Sequence, residues 1–264
     1  MKGILSSIGE GFLDLIYPSN IYCISCGNII DDSRPYSLCD SCVRTLKWAN
    51  GRTCGRCGKI LQAGYAPDLC TDCAGGEHVF EKGFTCVEYG PEERSLIHQF
   101  KYKDKAYLGR KLAEIMYDRI QAEEEFASDL IIPVPMFLRK EKKRGYNQAA
   151  VLAASLARHM GVPYDGRLLI RRVETEAMSK LDALGRRENI REAFAVVQGK
   201  TGKLAGKTVL LVDDIYTTGS TADACTAALL ASGADRVFVF TFASGANLLR
   251  GDWDQTDSEE SQER

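Results

Sequence analysis

Apolar positions along the 264-residue chain follow two regimes. Up to about residue 78 they are short and broken by paired cysteines, whereas from residue 80 onward they group into runs with strand-like or helix-like periods. FEKGFTCVE, residues 80–88, alternates enough for a strand, and Gly90-Pro91 turns the chain. Residues 92–120 read as one helical stretch, with Leu96, Ile97 and Phe100 on one face and Leu108, Leu112, Ile115 and Met116 later. Residues 130–134 form a strand that Pro133 and Pro135 end, and an alanine-rich helix begins at Gln148. Residues 209–212 are apolar at every position, as in a parallel strand buried on both faces; TADACTAALLASG then makes a helix that stops at Gly233. With further strands over 193–197 and 237–243, the alternation specifies an α/β fold, a mainly parallel sheet with flanking helices.

The flanks differ from this core. Residues 1–20 scatter Ile, Leu and Phe among Glu10 and Asp14, the pattern of a short amphipathic helix packed on the protein, and no small-residue cleavage site follows. The tail GDWDQTDSEESQER carries six acids against one arginine and is expected to be disordered. The expected division is therefore a helix at 1–20, a cysteine module at 21–78, the α/β domain at 79–246 and an acidic tail at 247–264. An apolar content of 45% suits a chain with a sizeable core, and a net charge of −2 argues against a wholesale polyanion binder. No apolar run approaches the roughly eighteen residues of a membrane span.

Ten cysteines raise the alternatives of disulfides and metal, and spacing favours metal. Cys23, Cys26, Cys39 and Cys42 recur 31 positions later as Cys54, Cys57, Cys70 and Cys73, an internal duplication. Two-residue spacing lets both thiolates of a knuckle face one ion, and Gly27 and Gly58 ease the turn. Four thiolates at a tetrahedral centre leave no open position, which specifies structural Zn²⁺, two ions per chain. Redox dithiols and an iron–sulfur cluster are the competing chemistries. Sequential pairing, each set complete within twenty residues, is favoured over a crossed brace. His78 reads as a surface histidine, and Cys86 and Cys225 as inert buried thiols. Between Cys23 and Cys73 six basic residues face five acidic ones, and each tetrathiolate zinc centre adds two negative charges, a poor balance for phosphate binding. Reducing conditions, hence a cytoplasmic protein, follow from eight thiolates committed to metal.

Candidate chemistry concentrates in VLLVDDIYTTGST, residues 209–221. Asp213 and Asp214 fall at a strand's carboxyl end, where open α/β sheets bind ligands. Thr217, Thr218, Gly219, Ser220 and Thr221 then lead into a helix whose free N–H groups and dipole favour an anion. These thirteen residues resemble the phosphoribosyl pyrophosphate (PRPP) signature of type I phosphoribosyltransferases. By position, the resemblance gives Asp213 and Asp214 to the ribose hydroxyls, and Thr217, Thr218, Gly219, Ser220 and Thr221 to the 5′-phosphate. Tyr216 departs from the family's smaller aliphatic residue; its ring is expected against the sheet edge or over the site. RKEKKRG, residues 139–145, reads as a basic loop that would receive pyrophosphate through Arg139 and Arg144, with Lys101 a further candidate. Gly145 and Asn147 suggest a turn with unusual backbone angles.

A closer resemblance is to the ComF family, competence-type proteins with a zinc-binding N-terminus. It rests on FKYK at 100–103, PVP followed by RKEKKRGYNQA, LGRRENIREAF and the cysteine repeat, and spans the chain up to about Phe242. Met178 stands where a glutamine is expected, and residues 184–194 fall in the stretch that type I enzymes use as a mobile flap. The resemblance implies a type I phosphoribosyltransferase-like domain behind a small N-terminal four-cysteine zinc-ribbon module, PRPP bound with Mg²⁺, transfer of phosphoribosyl to an acceptor that no motif here identifies, and a link to DNA uptake in natural transformation. The second reading is a non-catalytic PRPP-sensing adaptor or single-stranded DNA-binding protein beside a competence helicase or uptake protein.

Overall fold

The computed structural model describes residues 21–31, 33–76, 78–101, 105–124, 126–172 and 193–247. The chain forms two compact units, Met1–Leu46 and Lys47–Arg264, and the sequence duplication is visible in each. In the first unit the knuckle at Cys23 closes through Cys23 N–H to Asn28 O at 2.7 Å and Gly27 N–H to Cys23 O at 2.9 Å. Tyr22 bridges Ile29 across it. Helix α1 (Asp40–Thr45) starts directly after Cys39, whose amide donates to Cys23 Sγ at 3.4 Å. The second unit opens with the same device: Cys54 N–H to Lys59 O at 2.7 Å, Gly58 N–H to Cys54 O at 3.0 Å and a Thr53–Ile60 bridge. Helix α2 (Thr71–Ala74) follows Cys70, whose amide donates to Cys54 Sγ at 3.2 Å. Gly27 and Gly58 take φ +76° and +78°, a region open to glycine at little cost.

The rest of the second unit holds strands β1 (Gly83–Glu88), β2 (Leu130–Pro133), β3 (Leu169–Arg171), β4 (Phe194–Val196), β5 (Thr208–Tyr216) and β6 (Arg236–Ser244). Strands β1, β6, β5 and β2 lie side by side in that order, all parallel, while β3 and β4 form a separate antiparallel pair. Its other helices among the described residues are α3 (Pro91–Phe100), α4 (Leu108–Gln121), α5 (Leu138–Arg144), α6 (Gln148–Met160) and α7 (Ser220–Ala231). Helix α4 packs on α6 and β1, and α6 on β2 and β5; α7 packs on β4, β5 and β6. All of Val209, Leu210, Leu211 and Val212 are 0% exposed, the continuous burial expected of a central parallel strand.

Two expectations are corrected. The helical stretch at 92–120 is two helices, α3 and α4. A Cβ on Gly109 would lie 2.5 Å from Val151 Cγ1 and 2.8 Å from Phe100 Cε2, so the end of α3 folds back onto the start of α4, which a continuous helix forbids. The basic segment after Pro135 is helix α5 rather than a loop, and it buries no residue. Its Leu, Arg, Lys and Glu are all strong helix formers, and Gly145 ends it at φ +92°. The unusual turn expected at Gly145 is there; Asn147 instead has ordinary extended angles and stands just ahead of α6.

The second ribbon is built into the sheet's own core. Its four cysteines and Leu61 belong to one buried cluster with Val209, Leu211, Val237, Val239, Cys225 and Leu229. Two glycines make this possible: a Cβ on Gly58 would lie 2.5 Å from Gly83 O, and one on Gly83 2.6 Å from Cys57 O. Gly83 N–H donates to Arg56 O at 2.7 Å, and Glu88 N–H to Lys47 O at 2.9 Å, so the segment from Lys47 to Arg56 runs along β1 from one end to the other. Thr71 donates from N and Oγ1 to Asn247 Oδ1 at 3.0 and 3.1 Å, tying α2 to the chain beyond β6.

Gly58→Ala should cost roughly 3 kcal/mol, combining overpacking with left-handed strain. Gly27→Ala, with nothing within 4 Å of its Cβ, should cost only about 1 kcal/mol; denaturant titration distinguishes the two. Cys54→Ser with Cys57→Ser should remove one zinc per chain and lower the melting temperature of the sheet-bearing unit, because metal binding is folding energy there. Elemental analysis with thermal denaturation reads both.

Candidate functional site

The cysteines come together as two sets, Cys23, Cys26, Cys39, Cys42 and Cys54, Cys57, Cys70, Cys73, with the Sγ atoms of each set within 4.8 Å of one another. Cys26 and Cys39 Sγ lie 3.7 Å apart, and Cys57 and Cys70 Sγ 3.6 Å. A tetrahedral zinc with Zn–S bonds near 2.3 Å separates its sulfurs by about 3.8 Å, so the donor sets fit Zn²⁺ and pairing is sequential. All four thiols of the second set are buried, whereas Cys26 of the first is exposed. A buried tetrathiolate zinc centre carries two negative charges, and the knuckle residue Lys59, 4% exposed, sits beside it. Its ammonium donates to Asp72 Oδ2 at 2.6 Å and lies 5.9 Å from the Tyr216 ring centroid. The equivalent knuckle position of the first ribbon is the neutral Asn28.

At the carboxyl end of β5 a pocket is lined by Asp213, Ile215, Tyr216, Thr217, Thr218, Gly219, Ser220, Thr221 and Ala222, with Val134, Val239 and Thr241 behind them. Strand β5 runs four residues past Val212, so the acids stand within the strand rather than just after it. Gly219, at φ +83°, caps α7 and turns the chain from strand to helix. Thr217, Thr218 and Ser220 are exposed, and the Thr218 and Ser220 hydroxyls lie 3.0 Å apart. Asp213 Oδ1 accepts Asp214 N–H at 2.9 Å, and Asp214 Oδ1 accepts Ile215 N–H at 3.0 Å. Asp214 does not line the pocket with Asp213. Burial first, and then the neighbouring Asp214 carboxylate, push the Asp213 carboxyl well above the usual range, while the charge of Arg171 on β3 acts the other way. Thr241, the β6 register partner of Asp213, has a buried hydroxyl with no partner among the described residues.

Tyr216 is 4% exposed. Rather than covering the pocket from outside, its ring lies behind Gly219, where a Cβ would strike its hydroxyl. Burial, and then the negative charge of the Cys57 and Cys73 thiolates, push its phenol far up. His78 is no surface histidine. Its side chain is 9% exposed, with Nδ1 2.8 Å from Asp223 Oδ2 and Nε2 3.1 Å from the Tyr216 hydroxyl.

The basic candidates stand apart from this pocket. Arg139 and Arg144 lie on α5, no residue of which is buried, and Lys101 stands at the end of α3; none lines the pocket. Arg144 Nη1 donates to Gln148 Oε1 at 3.1 Å. Lys101 and Arg144 nevertheless share a neighbourhood, because the Tyr146 hydroxyl donates to the Phe100 carbonyl. The departure at Met178 and most of the flap stretch lie outside the described residues, as do the amphipathic helix and the acidic tail. Sequence reading missed the parts played by His78, Asp223, Arg171 and Thr241; only Arg171, one of two arginines closing the LLI run, had a signal there.

A parallel α/β sheet with a hydroxyl- and glycine-rich loop at a strand end, in a chain with two four-cysteine ribbons, defines a phosphoribosyltransferase-type domain with zinc ribbons. The double zinc ribbon domain family matches residues 12–74 and the phosphoribosyl transferase domain family residues 146–259. Competence protein F of Haemophilus influenzae is 30% identical over 228 residues, covering 85% of this chain and 97% of that protein. DNA utilization protein YhgH of Salmonella typhi is 27% identical over 78% of this chain and 89% of that protein. Competence protein ComFC of Bacillus subtilis is 25% identical over 74% and 79% respectively. The chain belongs to the ComF family of competence proteins. Among its described residues, no helix is long and apolar enough to cross a membrane.

A carboxyl whose pKa is raised by folding binds more protons folded than unfolded, so stability falls as pH climbs from the ordinary carboxylate range through the raised value. Asp213→Asn should therefore raise the melting temperature of the ligand-free protein at neutral pH by about 3 °C or more. The gain should vanish in acid, where Asp213 is protonated in both states; scanning fluorimetry across pH reads it.

Proposed function

We propose that this chain binds PRPP at the β5–α7 pocket and works on DNA taken up during natural transformation. The observation that carries the reading is the convergence of Asp213 and the whole run Thr217, Thr218, Gly219, Ser220 and Thr221 on one pocket at the start of α7. The free amides of that helix start, with the hydroxyl side chains around them, receive the 5′-phosphate without needing a cation. Asp213 and Asp214 accept from the ribose 2′- and 3′-hydroxyls. A raised Asp213 pKa favours this, because hydroxyl donors offset the cost of keeping its charge buried. Lys101, Arg139 and Arg144 hold the pyrophosphate end, a role favoured by the Tyr146–Phe100 bond that draws the first and last of these together.

Mg²⁺ carried in with PRPP would screen the pyrophosphate and aid its departure. Ribosyl transfer passes through an oxocarbenium-like state, which these residues serve by orienting the ring and stabilising the leaving group. Among the described residues, no histidine, glutamate or cysteine lines the pocket to activate an acceptor. That favours a second reading, a PRPP-sensing adaptor without turnover. The role in DNA uptake is supported by relatives named as competence and DNA utilization proteins. Contact with single-stranded DNA is supported by α5, which carries five basic residues and buries none of them. A cytoplasmic location is supported by ten unbridged cysteines, eight of them committed to metal.

Asp213→Ala with Asp214→Ala should abolish PRPP binding in calorimetry while zinc stays at two per chain; retained affinity would refute the ribose assignment. PRPP-dependent pyrophosphate release, measured with and without candidate acceptors, separates the enzyme from the sensor.

A further inference from the structure

His78 follows the last cysteine of the second ribbon, and its ring faces the loop at the carboxyl end of β5. The backbone is held from the ribbon side: Arg56, inside the Cys54–Cys57 knuckle, donates from Nη2 to His78 O at 2.6 Å. The ring stacks on Phe80 with centroids 4.8 Å apart and an interplanar angle of 18°. From there it reaches two residues of the β5–α7 element. Nδ1 lies 2.8 Å from Asp223 Oδ2, and the other carboxylate oxygen accepts Val79 N–H at 2.9 Å. With Nδ1 protonated toward a carboxylate, neutral Nε2 accepts the Tyr216 hydroxyl at 3.1 Å. A Cβ on Gly219 would lie 2.7 Å from His78 Cε1 and also meet Tyr216 Oη. The His78–Tyr216 pair is thus the wall against which the loop rests.

Asp223 stands in the first turn of α7. A free carboxylate there competes for the helix-start amides and repels an incoming anion. Both its oxygens are instead engaged by residues 78 and 79, on the ribbon side of the helix. We propose that His78 is a positioning residue: it locks the phosphate loop to the second zinc ribbon through Tyr216 and Asp223, so that PRPP affinity depends on the ribbon's fold. The proposal rests on the PRPP reading of that loop.

The test compares His78→Ala, His78→Gln and Tyr216→Phe in the full chain. Three quantities are read: amide hydrogen exchange over residues 217–223 in the ligand-free protein, PRPP affinity by calorimetry, and zinc content. His78→Ala should speed exchange there and weaken PRPP about tenfold with both zincs retained. His78→Gln, whose amide donates to Asp223 and accepts from Tyr216, should restore most of both. Exchange and affinity unchanged in His78→Ala, or a glutamine variant as poor as the alanine one, would overturn the proposal. If His78→Ala sheds zinc, Tyr216→Phe decides by the same two readouts, since it leaves the cysteines and the His78–Asp223 bond untouched. A wild-type protein that ignores PRPP refutes the PRPP reading, and the exchange data still rule for or against His78.

Discussion

The backbone of the second zinc knuckle lies against the backbone of β1 where Gly58 meets Gly83, with no room for a side chain on either residue. Two arrangements on the ribbon side of the larger unit depend on that approach. It seats the thiolate cluster in the hydrophobic cluster beneath β5 and β6. It also sets Arg56 where its guanidinium reaches two carbonyls of the connecting segment, those of His78 and Glu81. A metal site placed on a protein's surface can be lost at modest cost. One that forms part of the floor of a sheet ties cooperative unfolding to the metal.

Charge is arranged around the same axis. The second tetrathiolate zinc centre, Asp72, Asp223, Asp213 and Asp214 gather near β5 and the start of α7, and most are offset by a particular partner. Lys59 serves Asp72; His78 and the Val79 amide serve Asp223; Arg171 acts on Asp213. Burial disfavours the ionisation of Asp213 despite Arg171, and Asp213 is an acid of the pocket wall. Its charged form costs the folded chain stability, so the pocket is less stable than a neutral side chain there would make it.

Sequence reading recovered what short-range pattern controls. Four CxxC pairs at a fixed repeat give the donor sets and their pairing, because a knuckle is a local object. The run at 209–212 identifies a central strand, and Gly219 with its neighbours identifies the turn into α7. Where contacts between distant residues decide, the sequence was silent. His78 and Asp223 are 145 positions apart, and nothing near either residue advertises the other. The break between α3 and α4 depends on Phe100 meeting Gly109 beside Val151. In helix α5 the same Arg, Lys and Glu side chains carry both the charge pattern of a ligand loop and high helix propensity, and the propensity decides the backbone.

The tie between Thr71 and Asn247 spans 176 residues, and β1 pairs with β6 rather than with any strand made soon after it. During synthesis the second ribbon can capture its metal within a few dozen residues. Its seat on the sheet cannot be completed until β6 and the residues just beyond it have emerged. A ribbon that takes its metal before then is a ligated but undocked state of the nascent chain. In it the apolar face that will hold Val237 and Val239 stays uncovered, which leaves the protein dependent on prompt completion of its last strand.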